Sequence, residues 1–211
     1  METALEFLDN QANENEGLGD AGIETFKDAP YSSAAKEAGQ NSRDAMLHKP
    51  IKLSFKMHEL DRAEIPCYEQ LDAAIDSCLR RVDAHHNEKE KDFFVKAKDI
   101  LDQPTIKVLE IADYNTSGLI GPANEGKPFY ALLKSIGVSN KDSDTSAGSF
   151  GIGKNASFAI SELQTVFYST VYQDEDTHEK HFLAQGKTKL VSHVDSEGNA
   201  KKATGWWGLK G

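Results

Sequence analysis

Cations are scarce in this 211-residue chain, where 24 Lys and Arg stand against 34 Asp and Glu for a formal charge of −10. Phosphate backbones are held by clustered cations, and no such cluster is present, so direct nucleic-acid binding is not expected of this segment. Long apolar runs are lacking as well: none approaches the roughly 18–20 residues of a membrane helix, which argues against an integral membrane role. The opening METALEFLDN carries neither a basic region nor an apolar signal core, so the cytosol is the expected compartment. Cysteine is limited to Cys67 and Cys78, eleven apart and in no metal-ligand spacing; two reduced, partly buried thiols are expected rather than a disulfide. What is there, 38% hydrophobic and 27% charged residues, is ordinary for a globular domain, and the length is ample for one core.

Local patterns then divide the chain. DNQANENEGLGD, 9–20, offers little to bury, so residues 1–22 are expected to form a flexible arm with order beginning near Ile23. SSAAKEAGQNSRDAML, 32–47, predicts a helix capped by Ser32 or Ser33 and ended by Pro50. IKLSFKMHEL, 51–60, alternates as a half-buried strand. Two helical patterns, 68–85 and 88–101, suggest a helical hairpin, inserted at about 66–103. TIKVLEIAD, 105–113, predicts a strand ending at an acid. From Leu119 to Ala147 the composition turns to Gly, Pro, Ser, Asp and Lys around the short apolar piece FYALLKSIGV, as in a functional lid or a disordered segment. A glycine cluster then runs into a predicted helix, and QTVFYSTVY, 164–172, pairs with HFLAQGKTKLVSHV, 181–194, as antiparallel strands. Trp206 and Trp207 either pack back or continue into structure beyond this chain.

Three constellations could carry chemistry. Glu37, Asn41, Asp44 and His48 fall on one helical stripe about 60° wide. A polar stripe is most simply a solvated face. Mid-helix Asn is unfavourable, however, and a carboxylate to orient water with an amide oxygen for Mg²⁺ supplies the parts for metal-assisted hydrolysis. Asp113 ends an apolar strand before Tyr114-Asn115-Thr116-Ser117-Gly118, where Asn and Gly tolerate positive φ, so Asp113 either floors a pocket as an acceptor or caps a simple turn. Gly148-Ser149-Phe150-Gly151-Ile152-Gly153-Lys154 could offer backbone N–H groups and a cation to a phosphate, or serve as a flexible connector. It nearly matches a P-loop, but Asn155 replaces the Mg²⁺-binding hydroxyl and no hydrophobic strand precedes it. His178-Glu-Lys-His181 and Asp83-Ala-His85-His86 read as solvated polar ends rather than metal sites.

In order and spacing these three motifs resemble the GHKL superfamily of gyrase B subunits, ninety-kilodalton heat-shock chaperones, histidine kinases and MutL proteins, with MORC ATPases as relatives. The resemblance spans about Ile23 to Tyr172. It implies an α+β two-layer sandwich of the Bergerat type, a mixed, mostly antiparallel sheet with helices on one face and an ATP lid at about 119–147. Glu37-x-x-x-Asn41-x-x-Asp44 is similar to that family's N-box, implying that Glu37 activates water, Asn41 binds Mg²⁺ and Asp44 belongs to the ATP site. Asp113 corresponds to the aspartate that accepts the adenine amino group, with Asn115 and Gly118 beside it. Gly148, Ser149, Phe150, Gly151, Ile152, Gly153 and Lys154 resemble the glycine motif that closes over the phosphates. Asn115 and Ser117 stand where the family has glycines, and its late Gly-Thr motif has only a loose echo in Gly186-Lys187-Thr188. The implied cofactors are ATP and Mg²⁺. The implied activity is slow ATP hydrolysis driving lid closure and homodimerisation, with a non-hydrolysing nucleotide-sensing or chaperone-like binding module as the alternative. GIETF and QNSRDA also resemble stand-alone bacterial members associated with anti-phage defence. A transducer or effector region, or a partner protein supplying it, is expected beyond this chain.

Overall fold

The periodic segments fold where their patterns place them. The computed structural model describes residues 2–135 and 153–209. Along the chain run β1 (Thr3–Asp9), α1 (Ala21–Glu24), α2 (Pro30–Asp44), β2 (Lys52–Asp61), α3 (Tyr68–Ala84), α4 (Glu88–Leu101) and β3 (Thr105–Tyr114). They are followed by α5 (Pro128–Leu133), α6 (Ala156–Ala159), β4 (Thr165–Gln173), β5 (Lys180–Lys189), β6 (His193–Val194) and β7 (Ala200–Leu209). No helix among the described residues is long and apolar enough to cross a membrane.

The expected helical hairpin is the main source of the core. In α3, Leu71, Ala74, Ile75, Cys78 and Val82 recur at helical spacing and are buried, and α4 answers with Phe94, Ala97 and Leu101. Asn87 caps α4 by accepting from the Glu90 N–H at 3.3 Å. Lys98 Nζ spans the two helices, 2.5 Å from Asp72 and 3.4 Å from Asp76. The hairpin packs on Leu5 of β1, Trp207 of β7 and the buried Leu190 and Val191, making one continuous cluster that Ile106 of β3 also joins. Cys67 and Cys78 are both free thiols, and burial pushes the Cys78 thiol up to about 12.

Five strands form an antiparallel sheet in the order β1-β7-β5-β4, with β6 beside β7. β2 and β3 pair separately from Lys52↔Tyr114 to Asp61↔Thr105. The architecture is therefore α+β with antiparallel sheets, but the strands are split between two sheets instead of joined in one mixed sheet. Helices also flank both faces of the larger sheet. Trp207 faces the hairpin and donates its indole N–H to Pro66 O at 2.8 Å, while adjacent Trp206, pointing the other way, lies under the Lys187 ammonium at 4.4 Å. That second face is covered by α5, whose Phe129 and Leu133 are buried, and by Phe158 of α6. One-sided cover was the wrong expectation, because β5 and β7 carry residues to bury on both sides.

The N-terminal arm is a second correction. Thr3–Asp9 pairs with β7, and the following polar stretch is tied down: Glu16 N–H donates to Ser192 Oγ, its carboxylate accepts from Ala203 N–H, and Leu18 is buried. Its partners lie nearly the whole chain away, so its own composition could not reveal them. α2 starts at Pro30 with no side-chain cap and stops at Asp44, so neither Ser32 nor Pro50 sets its ends. The helix after the glycine cluster is only one α-helical turn, entered through a 3₁₀ turn at Gly153–Asn155.

Candidate functional site

α2 touches two of the other predicted segments, the turn after Asp113 and Gly153. Beyond its last residue, Ala45 O accepts from Ser117 N–H at 2.8 Å, while Asn115 O accepts from the N–H groups of Leu47 and His48 at 3.0 and 3.1 Å. A further bridge joins Met46 to Thr116. The end of α2 is thus stitched by main-chain bonds to the turn following Asp113. Because the helix has ended by Asp44, His48 leaves the stripe and serves this junction through its backbone, a correction to the four-residue stripe.

The turn has the conformation its residues suggest. Asn115 adopts φ 66° and donates its side-chain N–H to Pro50 O at 2.7 Å. Gly118 also has φ 66°, and a Cβ there would sit 2.7 Å from both Thr170 Oγ1 and Val171 O, so this position requires glycine for both reasons. Leu119 N–H then donates to Thr170 Oγ1 at 2.9 Å, docking the start of the expected lid onto β4.

Asp113 is exposed and lies opposite Leu53 on the β2–β3 ladder. The next pair on that face is Phe55↔Ile111, with Phe55 49% exposed. A carboxylate at the end of an apolar strip can accept a hydrogen bond from a flat heterocycle lying on the strip. Asn41 and Asp44 are exposed on the last turns of α2, and Asp44 is 3.5 Å from Arg43. Glu37 is half-buried, and its carboxylate lies so close to Gly153 that a Cβ there would overlap it. This close approach gives Gly153 a steric reason to be glycine. Gly148, Ser149, Phe150, Gly151 and Ile152, with the lid residues 136–147, lie outside the described residues.

Lys154 is not aimed at open space. Its ammonium is bonded to Ser135 O and lies 3.5 Å from Ala131 O, at the end of α5. Two cations that sequence reasoning did not single out stand nearby. Lys187, 5% exposed, donates to Leu133 O at 2.8 Å; burial, with the Lys189 and Lys154 charges adding, lowers its pKa to about 8. Lys189 pairs with Asp20 at 2.5 Å and donates to Asn155 Oδ1 at 2.8 Å. Burial acts to raise the Asp20 carboxyl, but the Lys189 contact and the Gly22 and Ile23 N–H groups outweigh it and hold it below the usual range. Asn155, which fails as a P-loop hydroxyl, here anchors Lys189. The only sequence signal for this group is the Gly186-Lys187-Thr188 echo, whose Thr188 is fully buried and bonded to Thr165 Oγ1 at 2.9 Å, inside the core.

Among the described residues no group of three His, Cys, Asp or Glu is arranged to hold a metal ion. The turn bearing His178 is organised by Asp174, which accepts from Thr177 N–H at 2.8 Å, and His181 stacks on Tyr172. Compared with protein-family models, curated proteins and solved structures, the chain matches none.

Proposed function

We propose that this chain is a GHKL-type ATP-binding domain that holds Mg-ATP along α2 and hydrolyses it slowly as a conformational switch. The observation that supports this reading is the convergence on one helix: Glu37 lies against Gly153, and the end of α2 is hydrogen-bonded to the turn after Asp113. The three segments are far apart in sequence, and their meeting at α2 puts the implied site residues on adjacent elements. In this reading Asp113 accepts the adenine amino group beside Leu53 and Ile111, and Asn41 with Asp44 reaches the Mg²⁺-bound phosphates. Glu37 orients water from the end of the glycine segment. The short α6 leaves little helix dipole for the phosphates, so backbone N–H groups around Gly153 carry more of that role. Lid closure, homodimerisation and service in a bacterial defence system belong to the same proposal, with a transducer or effector partner supplying the output.

A second reading, binding without useful turnover, is favoured by one observation: the Lys154 ammonium is already engaged by carbonyls of the α5 end. Calorimetry and a phosphate-release assay with Mg-ATP separate the two. The hydrolase reading expects Glu37→Ala to keep binding and to lower turnover by about 10²-fold or more. Binding by wild type without phosphate release would favour the sensor. Absence of binding would remove both.

A further inference from the structure

Lys189, the last residue of β5, carries its ammonium to side chains from opposite parts of the sequence. It lies 2.5 Å from Asp20 Oδ2, donates to Asn155 Oδ1 at 2.8 Å and stands 5.1 Å from the centre of the Phe158 ring. Its side chain is only 18% exposed, and its backbone N–H is bonded to Gln164 O at 3.0 Å. A lysine ordinarily keeps a mobile head in water, whereas this one is held by three contacts. Asp20 is fixed in turn, because its other carboxylate oxygen caps α1 by accepting from Gly22 N–H at 2.8 Å.

Asn155 shows what the contact does. It closes the 3₁₀ turn Gly153–Asn155 and occupies the N-cap position of α6, where an asparagine side chain normally accepts from the second or third helical N–H. Asn155 makes no such bond. Its oxygen is given to Lys189, and its backbone is helical, φ −81° and ψ −12°, in place of the extended conformation usual for a capping residue. The side chain is also wedged against α1: a Cβ on Gly22 would sit 2.1 Å from Asn155 Nδ2. Two residues earlier, Gly153 lies against the Glu37 carboxylate. We infer that Lys189 is a positioning residue: by occupying the Asn155 oxygen it holds the Gly153–Asn155 turn in its helical arrangement, with Gly153 beside Glu37. Through Asp20 it ties that turn to the segment before α1. Without the ammonium, Asn155 rotates to cap α6 and the turn moves off Glu37. The consequence for nucleotide rests on the ATP-binding reading above.

The test takes NMR spectra of the full ¹³C,¹⁵N-labelled chain without nucleotide, followed by calorimetry with Mg-ATP. Lys189→Met should move the Asn155 carbon shifts from helical to extended values and displace the Gly153 and Lys154 amides, with α3 and α4 unchanged. Lys189→Arg, which keeps a cation for Asn155, should retain the wild-type shifts. Mg-ATP affinity should fall about tenfold in Lys189→Met and equally in Asn155→Ala. The double variant should lose no more than either, because both remove one contact. Should Lys189→Met fail to fold, Asn155→Ala decides by the Gly153 and Lys154 amides and the affinity. The inference is overturned if the deciding variant leaves those amides unmoved or binds Mg-ATP within twofold of wild type, if Lys189→Arg behaves as Lys189→Met, or if the two losses add. No heat with wild type would remove the ATP-binding reading, and the nucleotide-free spectra would still decide whether Lys189 sets the turn.

Discussion

The helices α2 and α4 have nearly the same length, 15 and 14 residues, yet they are held in place by different forces. α4 and its partner α3 bury Phe94, Leu101, Leu71 and Ile75 completely or nearly so, and stay in place because apolar area leaves water. α2 buries only Ala34 and Ser42, and the Ser42 hydroxyl is bonded back to Ala38 O at 2.7 Å. Its position depends on main-chain bonds to Asn115 and Ser117. One region thus spends its sequence on packing, and the other keeps Asn41 and Asp44 in solvent on a face that folding does not use. The difference teaches where function can reside: polar side chains on α2 can be conserved for binding without compromising the core.

Substitutions can break this contrast or sharpen it. Phe94→Ala should cost about 3–5 kcal/mol, read from denaturant unfolding, because a fully buried ring leaves a cavity between α4 and the sheet. If it cost under 1 kcal/mol, the hairpin would not be the core. Asn115→Ala should cost about 1–2 kcal/mol, combining a positive φ with the lost bond to Pro50 O, and should loosen the end of α2 in hydrogen exchange while leaving α3 and α4 protected. Uniform loss of protection would mean that the two regions are not separable.

A further prediction concerns Lys187, where pH supplies the readout. Below about pH 8 it is charged both folded and unfolded, and its burial destabilises the fold in full. Between about 8 and its ordinary value of 10.5 the unfolded chain binds more protons, so this residue's contribution to stability rises with pH. Lys187→Met should therefore differ from wild type in a pH-dependent way confined to that window. A difference constant from pH 7 to 10.5 would show that the ammonium is not desolvated.

The same contrast explains what was legible in the sequence. α3, α4, β2, β3 and the β4–β5 hairpin were readable because each carries its own apolar period and pairs with a neighbour in sequence. β1 was not, since its partner β7 is nearly two hundred residues away and its own stretch of alternation is short. The division into two sheets was hidden for the same reason: pairing between hairpins leaves no local mark. At the candidate site the turn chemistry of Asn115 and Gly118 was legible, as was the presence of Glu37 on a helix. The engagement of Lys154 by the α5 carbonyls and the burial of Lys187 were not, because both depend on where α5 docks.

The most direct test of the α2 site is isothermal calorimetry with Mg-ATP on wild type and Asp113→Ala, paired with thermal unfolding of each. Asp113 is exposed and packs against nothing that folding needs, so the variant should keep wild-type stability to within about 0.5 kcal/mol. Saturable heat with wild type and none with Asp113→Ala is the expected result. No heat with wild type, or equal affinity in the variant, would contradict a nucleotide site built around α2 and the Asp113 turn.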